Sequence, residues 1–127
     1  MQTINYQYYN QLFRNLQLPI AFCNIDLLDK NIQDIANRAD GKNKNIRIAS
    51  KSVRCTYVLK RILDANPMYK GIMCYTGNEA LFLLSQGFDD LLLGYPIANK
   101  QEITDVCKAT KSGKKIILMV DCEEHLQ

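Results

Sequence analysis

The segment Ile48-Ala49-Ser50-Lys51-Ser52-Val53-Arg54 puts a lysine at the C-terminal end of an apolar run that reads as a buried strand. A lysine adds to an aldehyde only as the free amine. Burial against an apolar floor disfavours the ammonium and lowers the lysine pKa, which would supply that amine. Carbonyl chemistry is therefore the reaction this position suggests. The alternative is a lysine that only reaches solvent. Arg54 follows one helical turn later and could meet a carboxylate or another anionic oxygen, or lie exposed on a helix. Tyr95, Asn24, Cys74 and Tyr75 stand at the ends of other expected strands. Tyr95 could face the same cavity or be an ordinary packed aromatic. Asp121 ends the last expected strand and could equally cap a helix.

Other chemistries are poorly supplied. His125 is the only histidine, which excludes a multi-histidine metal site and most Ser-His or Cys-His machinery within the chain. The five cysteines are widely spaced, odd in number, and never in C-x-x-C spacing. Buried, reduced thiols of a cytoplasmic protein are expected, and no metal-ligand set. The net charge of +3 is scattered, so nucleic-acid binding is not expected. The basic residues between Lys108 and Lys115 read as a solvated helix end. No signal peptide and no membrane-spanning stretch is expected.

The elements that must position these residues alternate regularly. Residues 3–16 read as an N-terminal helix stopped by Pro19, with Tyr6, Tyr8, Tyr9 and Phe13 available to cover the barrel bottom or a partner. Residues 20–25 read as a first strand. Asp26 is expected to cap the next helix, whose Leu28, Ile32, Ile35, Ala36 and Ala39 share one face and which Gly41 ends. A second strand, 46–50, leads to a helix over 53–64 capped by Ser52, with Cys55, Val58, Leu59, Ile62 and Leu63 inward. The third strand is 71–75. Thr76 and Glu79 then form a capping box for a helix that Gly87 closes. The fourth strand is 90–95, the fourth helix about 100–111, and a fifth strand 115–120.

The expected strands are continuous apolar runs, as in a parallel sheet covered on both faces. Alternating βα units define an α/β fold with right-handed crossovers. An open doubly wound sheet and part of a barrel both fit. No G-x-G-x-x-G or Walker sequence follows any strand, which weighs against a nucleotide-binding sheet. A complete eight-unit barrel needs about 250 residues. The expectation is therefore the first half of a parallel (β/α)8 barrel: four βα units and a fifth strand over residues 19–127, after an N-terminal helix within residues 1–18.

Several motifs together resemble a known family. Pro19, Asn24-Ile25-Asp26-Leu27-Leu28 and Asn31-Ile32 look like the opening strand and helix of fold-type III pyridoxal phosphate enzymes, the alanine racemase and D-threonine aldolase group. Arg47-Ile48-Ala49-Ser50-Lys51-Ser52 is similar to their second strand, which ends in the cofactor lysine. Gly71, Thr76, Glu79-Ala80, Gly87-Phe88-Asp89-Asp90 and Tyr95-Pro96 resemble the third and fourth units of the amino acid aldolase/deaminase branch. The resemblance covers about residues 19–126.

The resemblance implies that Lys51 is the Schiff-base and α-proton lysine. It also implies that Arg54, Tyr95 and Asn24 approach pyridoxal phosphate, and that the substrate is a small D- or β-hydroxy amino acid. The racemase branch has a tyrosine one turn after the lysine; Cys55 stands there, which disfavours alanine racemase itself. The histidine-bearing motif usual around the aldolase/dehydratase lysine is also missing. Barrel phosphate sites are typically built after strands seven and eight. The expectation is the N-terminal part of a lyase or racemase, inactive alone, whose uncovered half-barrel edges lead two copies to associate. The alternatives are a barrel that holds pyridoxal phosphate for homeostasis without a reaction, and a structural half-barrel remnant.

Overall fold

In the computed structural model, residues 5–39 and 43–126 are described. Helix α1 (Tyr6–Phe13) begins at Asn5, whose side chain accepts from the Tyr8 N–H. Helix α2 (Ile25–Ala39) buries Ile32 and Ala36, the centre of its expected apolar face, while Ile35 lies exposed beside that stripe. Its cap is Asn24, not Asp26. The Asn24 Oδ1 accepts from the Leu27 N–H at 3.0 Å, which leaves Asp26 in the first turn. The expected stop at Gly41 lies outside the described residues.

Four parallel strands follow: β1 (Ile46–Ala49), β2 (Tyr69–Cys74), β3 (Leu91–Leu93) and β4 (Ile116–Ile117). They pair in chain order, β1-β2-β3-β4. A doubly wound sheet reverses its order at a switch point, whereas a barrel wall runs sequentially. The order therefore matches part of a TIM-type barrel. Between the strands lie α3 (Ser50–Val53), α4 (Thr56–Ala65), α5 (Gly77–Ser85) and α6 (Lys100–Lys111), and a 3-10 turn, Glu123–Leu126, ends the described chain.

The core lies between the sheet and its helices. Ile72, Leu91 and Ala80 are wholly buried, with Leu59 and Leu83 nearly so. Burying a leucine-sized side chain contributes about 1.5–3 kcal/mol, so these positions hold the layers together. Tyr69 joins layers by another means: its hydroxyl donates to the Ile32 carbonyl of α2 at 2.7 Å. Arg61 of α4 grips both oxygens of Asp29 on α2, with Nε 2.7 Å from Oδ1.

The expected first strand does not form. Residues 20–24 carry no ladder, so the described residues form a sheet of four strands where five were expected. Phe22 packs instead on α1, with ring centroids 4.9 Å from Tyr9 and 4.7 Å from Phe13. Aromatic contact, with Phe22 itself left exposed, joins this segment to the N-terminal helix. The expected strand at 115–120 shortens to two residues, and Leu118, Met119 and Val120 stay exposed. The helix expected from Val53 is split. Arg54 adopts a left-handed φ of 47°, and α4 starts only after Cys55, so Ser52 caps nothing. Of the cysteines, Cys74 alone is buried and the other four are exposed, contrary to the expectation of buried thiols. Among the described residues, no helix is long and apolar enough to cross a membrane.

Candidate active site

The C-terminal ends of β1 and β2, with α5, enclose a cavity of about 510 Å³. Ser50, Lys51, Arg54, Tyr75, Glu79 and Phe82 contribute to its wall. Its geometry begins at Ser50, which is almost wholly buried. The Ser50 hydroxyl lies 2.6 Å from Glu79 Oε1 and 3.0 Å from the Met73 carbonyl, so it donates toward β2 and α5. The Ser50 carbonyl accepts from the Arg54 N–H at 2.8 Å and closes the short turn α3. That turn carries Lys51 outward from the strand end.

Glu79 has a second task. Thr76 Oγ1 accepts from the Glu79 N–H at 3.1 Å, which is half of the expected capping box. The return bond goes to the Tyr75 N–H, 2.7 Å from Oε2, one residue earlier than the box predicts. One carboxylate thus ties together the ends of β1 and β2. Sequence reasoning saw Glu79 only as a cap and missed Ser50. The signal available was a carboxylate just past one strand end and a hydroxyl at another.

Lys51 is exposed, and its Nζ donates to Tyr95 Oη at 3.0 Å. This hydrogen bond, and the favourable electrostatics of the Tyr95 oxygen beside it, raise the Lys51 pKa above the ordinary lysine value, outweighing the opposing effect of burial. The direction is the reverse of the expectation drawn from a buried strand end, because the amine stands outside the core. The Tyr95 ring meets Tyr75 edge to face, with centroids 5.1 Å apart. Lys51, Tyr95 and Tyr75 therefore form one group, and Arg54 lies on the wall of the same cavity.

The remaining candidates are elsewhere. Asn24 caps α2 and offers its amide to Tyr9 Oη at 3.4 Å, and does not line the cavity. Cys74 is sealed under the site. Burial, aided by the charge of Glu79, pushes its thiol up to about 12, so it stays protonated. Asp121 contacts His125 at the far end of the chain. A larger cavity, about 720 Å³, is lined by α2, α4 and residues after α5 and meets the first at Thr56. Its charged groups are already paired, Arg61 with Asp29 and Lys60 with Asp64, and no strand end opens into it. The smaller cavity is the better candidate, because barrel chemistry sits at the C-terminal ends of strands.

No family model and no curated protein matches this chain. Among solved structures, D-threonine aldolase from Filomicrobium marinum is similar, with a TM-score of 0.77 and 20% sequence identity over 87% of this chain. The match takes in 29% of that chain, so the present sequence spans less than a third of its length. The protein therefore has the fold of part of that D-threonine aldolase, a parallel α/β partial barrel, as its sequence motifs led one to expect.

Proposed function

We propose that this chain supplies the lysine-bearing part of a pyridoxal phosphate-dependent lyase or racemase acting on a small D- or β-hydroxy amino acid. The observation that carries the reading is Lys51 at the end of β1, bonded to Tyr95 at the mouth of a strand-end cavity. The cavity volume falls within the range of about 300–1,000 Å³ usual for small-molecule sites. Its donor set suits the cofactor: an amine for the aldehyde, tyrosine rings beside it, and a guanidinium for an anionic oxygen. In this reading Lys51 holds the cofactor covalently and, once released, moves the proton at the substrate α-carbon. Tyr95 holds the Lys51 nitrogen in place. Arg54 meets the ring oxygen or the substrate carboxylate. Pyridoxal phosphate supplies the electron sink.

The chain by itself is proposed to be inactive, since the aldolase it resembles is more than three times its matched length. A second copy is the proposed partner, joined at the sheet edge where Ile117, Leu118, Met119 and Val120 are exposed. A clean monomer by light scattering at high concentration would exclude that association.

The decisive experiment treats the chain with pyridoxal phosphate, reduces it with borohydride and maps the adduct by mass. A preferential adduct at Lys51 is expected, with loss of the preference in Lys51→Ala. Even labelling of many lysines would reject the reading and favour a structural remnant. Turnover of any amino acid by the unreduced chain loaded with pyridoxal phosphate would reject the inactivity.

A further inference from the structure

The turn after β4 carries a second cluster, made of groups that the Lys51 site does not use. Asp121, Cys122 and His125 are, among the described residues, the one group of three or more acidic, thiol or imidazole side chains whose ligand atoms all fall within 4.8 Å of one another. The local backbone explains the convergence. Residues Glu123–Leu126 form a 3-10 turn, with the His125 N–H bonded to the Cys122 carbonyl at 3.3 Å. A turn of this kind brings positions 121, 122 and 125 to one side. His125 Nδ1 already faces Asp121 Oδ1 at 3.0 Å.

We propose that this turn binds a thiophilic divalent cation of the zinc class through Asp121, Cys122 and His125. The donor types decide the class. One thiolate, one imidazole and one carboxylate suit zinc or cobalt, whereas magnesium and calcium take all-oxygen shells. Tetrahedral zinc holds its ligand atoms roughly 3.3–3.8 Å apart, as its bond lengths of about 2.0–2.3 Å require. The present spread closes to that by side-chain rotation, with the His125–Asp121 contact given up to the metal. The fourth position goes to water. Binding drives the thiol proton into solvent, so the affinity rises with pH. The site is independent of pyridoxal phosphate and of any reaction at Lys51.

Cobalt is the probe for the full, reduced chain after chelator treatment. Its thiolate charge-transfer absorbance reports a Cys–metal bond, and zinc should then displace it. His125 is the only histidine, so its imidazole resonances report the same event without assignment. Cys122→Ser is expected to abolish the charge-transfer band, and His125→Gln to weaken binding at least tenfold. A Cys23→Ser, Cys55→Ser, Cys107→Ser triple variant should keep the band. All three proposed ligands are exposed, so their replacement leaves the core intact. A band that persists in Cys122→Ser, no band at tenfold excess cobalt, or imidazole resonances unmoved by zinc would each overturn the proposal.

Discussion

The two ends of the sheet are built differently. At the ends where the strands begin, Arg47, Asp90 and Lys115 tie strand to strand. The Arg47 guanidinium, at the start of β1, reaches across β2 to the Asp90 carbonyl at 2.5 Å and to Asp90 Oδ1 at 2.8 Å. Lys115 Nζ meets the same carboxylate at 3.1 Å from the β4 side, and the Lys115 N–H is bonded to Asp89 at 2.9 Å. At the ends where the strands finish, Ser50 and Glu79 make a small buried support, and above it Lys51, Arg54 and Tyr95 are exposed. One end is cross-linked and the other is left reachable. That division lets the finishing end vary its side chains without loss of the wall.

The largest test of this division strikes the cross-linked end at Gly71. It has a φ of 70°, and an added Cβ would overlap both the Arg47 guanidinium and the Asp90 carbonyl. Gly71→Ala combines left-handed strain with displacement of the Arg47 bridge, and should cost about 3 kcal/mol. Urea unfolding measures it. A loss within experimental scatter would mean that the bridge gives way freely and that the two ends are equally soft.

Much of the wall was legible in the sequence, because its apolar runs are continuous and punctuated. Asn99 before α6, Gly87 after α5 and Gly113 after α6 stand where capping chemistry puts them. The bridge was not legible. Arg47 and Asp90 lie 43 positions apart, and nothing local to Arg47 says that its side chain crosses β2. The site was read in part. Strand ends in a sequential sheet come together, so Lys51, Tyr75 and Tyr95 could be grouped from their positions alone. Arg54 could be placed near them, but not its left-handed turn. Asn24 misled because residues 20–24 have the composition of a strand, while Phe22 instead packs against the rings of Tyr9 and Phe13 and the Asn24 side chain caps α2.

A smaller effect separates charge from packing at the same cross-linked end. Burial pushes the Asp90 carboxyl up, but the hydrogen bonds and charges of Arg47 and Lys115 outweigh it and leave the pKa below the ordinary value. A carboxyl depressed in the folded state contributes stability above the unfolded pKa, about 3.9, which is lost as pH falls through the lower folded value. Asp90→Asn keeps the shape and tolerates the left-handed φ of 55° at this residue. At neutral pH it should cost about 1 kcal/mol, reduced by added salt because the pair is partly exposed. The difference from the parent chain should shrink below about pH 4. Urea midpoints measured from pH 7 to pH 2 would contradict this if the gap stayed constant.

The smallest effect belongs to the exposed end. Tyr95 accepts from Lys51 and raises its pKa, so removing the hydroxyl should release amine. Tyr95→Phe keeps the ring that Tyr75 packs against and removes only the acceptor. At mildly alkaline pH the rate of reductive methylation at Lys51, compared with exposed Lys30 or Lys114 in the same digest, should rise. The pH profile of Lys51 should move down while those of the reference lysines stay. A fall in rate would instead make Tyr95 a proton acceptor that assists the amine. An unchanged rate would leave the hydrogen bond without influence. Asp90→Asn supplies the cross-check: its charge change lies at the opposite end of the sheet, and additivity between separated sites requires the Lys51 rate to stay as it was. If that substitution moved the Lys51 profile as far as Tyr95→Phe does, the two ends would be coupled through the strands, and the separation of support from chemistry would fail.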